Sequence, residues 1–68
     1  VAPEETELEM VRRHVCEGER HVSSQREILD HLREHGHPTK LAEELLINLE
    51  DLLVMHRQHL ARIDPGFR

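Results

Sequence analysis

Apolar positions recur along this chain in two long runs. Leu8, Val11, Val15, Gly18, Val22, Gln25, Leu29 and Leu32 follow one another in alternating steps of three and four, and so do Ala42, Leu46, Leu49, Leu53, His56, Leu60 and Ile63. That alternation is the heptad spacing of a helix seam, with Gly18, Gln25 and His56 standing where apolar side chains usually sit. No proline falls between Thr6 and His35 in a stretch rich in Glu, Arg, Leu and Gln, so the pattern predicts one helix over about residues 6–35. Thr6 followed by Glu9 has capping-box spacing, and Pro3 is an alternative first-turn residue ahead of the early glutamates. Gly36 stands where a left-handed residue ends a helix, and Pro38 cannot continue one, which leaves a short turn at Gly36 to Pro38. Thr39 is placed to cap a second helix running to Ile63, where Asp64-Pro65-Gly66 ends it. So short a connection makes the two helices an antiparallel hairpin.

Charges beside the two seams fix the register. Arg12, Glu19, Arg26 and Arg33 occupy one edge of the first, and Glu43, Glu50, Arg57 and Asp64 the like edge of the second. Antiparallel pairing sets Arg33 against Glu43, Arg26 against Glu50, Glu19 against Arg57 and Arg12 against Asp64. Each pair is opposite in sign, including the one in which acid and base exchange helices. An exposed pair contributes only about 0–1 kcal/mol, so the pattern specifies orientation more than it stabilises.

The second helix is more apolar than one seam requires. Leu45 and Leu52 form a stripe beside it, matched on the first helix by Ile28, with Leu41, Ile47, Val54 and Met55 further round. Two helices enclose no core, and packing two hairpins face to face removes that stripe from water. The expected architecture is all-α: a helical hairpin that dimerises into a four-helix bundle, two-fold symmetric, with Ile28, Leu45, Leu52 and Leu53 at the dimer interface, the alternatives being a higher oligomer or a heteromeric partner on the same face.

Composition agrees with a doubled hairpin and removes several function classes. The chain has 68 residues, 37% of them hydrophobic, with Phe67 its single aromatic. A core that small usually needs a disulfide, a metal or a second subunit, and a lone Cys16 rules out an internal disulfide. The longest uninterrupted apolar run, Leu52 to Met55, is far short of the roughly 20 residues that cross a bilayer, so no membrane span is expected. A net charge of −5 repels phosphate backbones, and no aromatic platform is available for base stacking, so nucleic acid is not expected as a partner. The start Val1-Ala2-Pro3 lacks an initiating Met, as a trimmed chain would, and no basic region precedes an apolar core. With an unpaired cysteine, a cytoplasmic location is expected.

Histidine is the unusual residue, at seven positions. His14, Glu17 and His21 share one face of the first helix, and His56 and His59 lie one turn apart on the second, near them in the hairpin. Imidazole and carboxylate side chains from facing helices are how bundles hold metals, and Zn or another first-row divalent ion suits this set, with Gly18 leaving room for an imidazole or for close helix approach. The bland reading is that these histidines shield the edge of a core. A pH response is the related expectation, since histidines at an interface gain charge as pH falls and repel one another. His31, His35 and His37 cluster at the turn, where their expected role is at the negative helix end. Cys16, close to Arg12, Arg13 and Arg20, lacks the histidine and acid partners of a nucleophile. Gln25 sits mid-seam, able either to fix register through a buried hydrogen bond or to reach water. No phosphate loop, nucleophile elbow, Cys-x-x-Cys or zincin helix occurs, so no enzyme is expected and no catalytic or cofactor-binding residue is assigned.

The stretch Arg13-His14-Val15-Cys16-Glu17-Gly18-Glu19-Arg20-His21-Val22, followed by Gln25-Arg26-Glu27, Gly36-His37 with Thr39, Ala42-Glu43-Glu44-Leu45-Leu46, and His56 and His59, resembles a group of short uncharacterised bacterial proteins. They share a pattern like R-H-V-x-x-G-E-R-H-V and G-H-x-T. The resemblance implies a small stand-alone bacterial protein and brings no activity with it. Three functions then compete: a homodimeric adaptor or regulator acting through protein contacts, a metal-binding or pH-responsive histidine-rich dimer, and a phosphotransfer hairpin. The last would use His14 or His21, but neither is followed by the acidic residue and proline of sensor-kinase dimerisation hairpins.

Overall fold

Helix α1 runs from Glu7 to Glu34 and helix α2 from Lys40 to Ile63, packed antiparallel, with no strand among the described residues. The computed structural model describes residues 4–64 and Gly66. The roles expected of Pro3 and Pro65, and the aromatic Phe67, lie outside the described residues.

Local chemistry sets the helix ends. Thr6 is extended, and its hydroxyl oxygen accepts from the Glu9 N–H at 3.1 Å, as an N-cap should. The return half of the capping box differs, since the Glu9 carboxylate accepts from the Thr6 hydroxyl at 3.1 Å. At the other end the chain reverses through Gly36, whose φ of +67° lies in the left-handed region. The His37 N–H donates to the Leu32 carbonyl at 2.9 Å and the Gly36 N–H to the Arg33 carbonyl at 3.2 Å, the Schellman pattern that satisfies the last carbonyls of α1. A Cβ added to Gly36 meets nothing within 4 Å, so only the backbone opposes substitution. Gly36→Ala therefore costs about 1 kcal/mol and lowers Tm by about 4–8 °C in a thermal melt.

The expected cap of α2 is not made. Thr39 has ψ near −6°, already helical, so its hydroxyl is not aimed at the free N–H groups of the first turn and donates instead to the Glu43 carboxylate at 3.3 Å.

Both heptad runs form the core between the helices. Val11, Val15, Val22, Leu29, Leu53 and Leu60 are buried, with Leu8, Met10, Leu46, Leu49 and Ile63 packed around them. Gly18 sits opposite Leu53: a Cβ there would stand 3.0 Å from Leu53 Cδ1, so the glycine permits close helix approach at that level. Gln25 is buried, and its Nε2 donates to the Ala42 carbonyl of α2 at 3.0 Å, tying the seam across the helices.

The two edges of the seam are chemically opposite. On one, all four expected pairs form: Arg12–Asp64 at 2.8 Å, Arg33–Glu43 at 3.2 Å, and Arg26–Glu50 and Glu19–Arg57 each at 3.4 Å. The other carries His14, His21 and Ile28 of α1 and Leu45, Leu52 and His59 of α2, and the contact that crosses it at its open end is His59 Nε2 to the Glu7 carboxylate at 3.2 Å. Leu41 and Met55 extend this second edge, whereas Ile47 and Val54 lie beyond the ion pairs.

Asp64 at the open end is held below its ordinary value of 3.8, first by the hydrogen bond from Arg12 and then by the Gly66 N–H at 3.0 Å. A depressed carboxyl contributes stability that is present above its ordinary value and is lost as pH falls through its folded-state value. Tm should therefore fall as pH drops below about 4, and Asp64→Asn should remove part of that fall.

Candidate functional site

Along the histidine-bearing edge runs a shallow groove of about 200 Å³. His14, Glu17, Gly18 and His21 line it from α1, and Leu49, Leu52, Leu53 and His56 from α2. Heptad phase produces this arrangement, because residues one place before each seam position of α1 share a side, and the side-chain-free Gly18 leaves the middle of the groove open.

His14 and His56 face each other across it with ring centroids 5.1 Å apart and planes inclined by 50°. Both are half-buried. Glu17 is engaged elsewhere, accepting from Arg13 at 3.1 Å. The same guanidinium grips both carboxylate oxygens of Glu5, at 2.9 and 3.1 Å. These hydrogen bonds hold the Glu5 carboxyl below its usual range and keep Arg13 still more firmly protonated. His21 is exposed at the rim, two turns along α1. His59 lies outside the groove lining, its Nε2 3.2 Å from the Glu7 carboxylate. His14, Glu17, His21, His56 and His59 thus share a region without converging, and among the described residues no three His, Cys, Asp or Glu side chains are grouped to hold a metal ion.

Of the side chains expected at a dimer interface, Ile28, Leu45 and Leu52 are half-exposed on the groove side. Leu53, the fourth of them, is 5% exposed in the single chain and packs inside the hairpin against Gly18, as its seam position places it.

The turn histidines sit at the end of α1. His31 and His35 have ring centroids 4.2 Å apart, and His35 Nδ1 donates to the His31 carbonyl at 2.9 Å, satisfying a helix-end acceptor. Cys16 is exposed, with the Arg20 guanidinium 3.7 Å from its sulfur, while Arg12 and Arg13 are held by carboxylates. Sequence reasoning missed the Arg13 link to Glu5 and Glu17 and the Glu7–His59 contact. The i, i+4 spacing of Arg13 and Glu17 was a usable signal for the first.

No helix among the described residues is long and apolar enough to cross a membrane. No family model matches the chain, and no curated protein or solved structure matches it either.

Proposed function

We propose that the chain works as a homodimer, two hairpins packed groove side to groove side into a four-helix bundle, and serves in the cytoplasm as a small adaptor or regulator through protein contacts. The observation that carries this reading is the asymmetry of the two edges, one closed by four ion pairs and the other a groove of histidines and leucines that leaves Leu45, Leu52 and Ile28 half in water.

Surface area supports a second copy as the occupant. The chain exposes 5447 Å², whereas a compact monomer of 8.0 kDa exposes about 4,450 Å². The excess of about 1,000 Å² is close to the roughly 800 Å² that each partner buries in a standard interface. The molecule is also only 16 Å across its shortest axis, a single layer of helices where folded domains have at least two. A self-matching leucine stripe supplies the second layer when the chain pairs with itself.

Sedimentation equilibrium at tens of micromolar tests the reading. The expected mass is twice the 8.0 kDa of the chain. A single-chain mass would overturn it.

A further inference from the structure

We propose that His14 and His56 form half of a binding site for a first-row divalent metal ion, completed by the same two histidines of a second copy. The inference rests on the doubled hairpin and assigns its groove a ligand. Two imidazoles bound tetrahedrally to zinc at about 2.0–2.1 Å have ring centroids about 5 Å apart, taking about 1.1 Å from nitrogen to ring centre. His14 and His56 stand at 5.1 Å, the centroid spacing of such a bis-imidazole chelate. Both rings are half-buried on facing helices, which limits the freedom lost on binding.

Among the described residues, one chain does not supply a third ligand. Glu17 is held by Arg13 and His59 lies beside Glu7, while His21 is two turns from His14 along α1. Pairing can supply the rest. If two hairpins pack with their turns at the same end, α1 of each faces α2 of the other, Ile28 of one copy meets Leu45 of the other, apolar on apolar, and the His14–His56 layer meets the same layer. The opposite orientation would set the histidine layer of one copy against the Ile28 and Leu45 layer of the other. The parallel arrangement therefore gathers four imidazoles at one level, a donor set that suits zinc, copper or nickel.

Titration of the full chain with Zn²⁺ by calorimetry, paired with sedimentation in EDTA and in Zn²⁺, tests the site. The expected result is one ion per two chains, a dimer at least tenfold tighter in Zn²⁺ than in EDTA, and at least tenfold weaker zinc binding in His14→Gln and in His56→Gln. His31→Gln with His35→Gln, which removes the other close imidazole pair, should bind as wild type does. Helix content by circular dichroism separates a folded variant from an unfolded one, and His14, beside the seam and not on it, keeps the test decisive if His56→Gln fails to fold. Equal zinc binding by wild type and His14→Gln, or loss of binding only when His31 and His35 are changed, would overturn the site. Sedimentation in EDTA alone reports on the doubled hairpin, so a dimer there with no response to zinc defeats the metal site and leaves the dimer standing.

Discussion

Replacing Leu45 and Leu52 together, Leu45→Glu with Leu52→Glu, is expected to abolish self-association. Each leucine is about half exposed in the single chain, and burying the remainder contributes about 1 kcal/mol per side chain. Two copies bring four such side chains, about 4 kcal/mol in all, so the substitution weakens the dimer about a thousandfold before any repulsion between the new carboxylates. Val54→Glu is the control. Val54 is as exposed as Leu52, at 48% against 47%, but lies on the ion-paired side near Glu50 and Arg57. Sedimentation should return a single-chain mass for the double variant and an unchanged mass for Val54→Glu.

The second large effect is internal to each hairpin. Leu53→Ala removes a side chain that is 5% exposed and faces Gly18, a residue with no side chain of its own to fill the space. Large-to-small changes of this kind cost about 2–5 kcal/mol, a large share of the stability a chain this small can have. Denaturant melts should show the transition midpoint collapse or the cooperative transition vanish. Leu41→Ala, at a position 81% exposed, should change stability by no more than about 0.5 kcal/mol if the side chain stays in water.

The hairpin was legible because its determinants are periodic. A heptad repeat assigns each residue an edge whatever the distant parts of the chain do, and so Arg12, Glu19, Arg26 and Arg33 could be matched to partners on α2 before any coordinates, and all four pairs form. Gly36 was legible for a local reason: a left-handed residue between a long helix and Pro38 is a glycine position. Thr39 was not, since residue identity names a capping side chain but not its backbone angle, and ψ near −6° turns the hydroxyl to Glu43. How deeply Leu53 packs within one hairpin is not legible from its seam position, since it depends on how closely Gly18 lets the helices approach. Heptad phase brings the five residues of the histidine group to one region, but their internal grouping depends on long side chains: Arg13 draws Glu17 aside and Glu7 engages His59, leaving His14 and His56 as the facing pair.

The two faces of the hairpin provide the most direct test of its pairing. In a Cys16→Ser background, Leu52→Cys and Val54→Cys place single thiols at positions that are equally exposed in one chain. Alkylation rates measured at a concentration where the chain is doubled should show the thiol at position 52 protected at least tenfold relative to the one at 54, with the difference disappearing on dilution. Equal rates at every concentration would contradict pairing through the groove side.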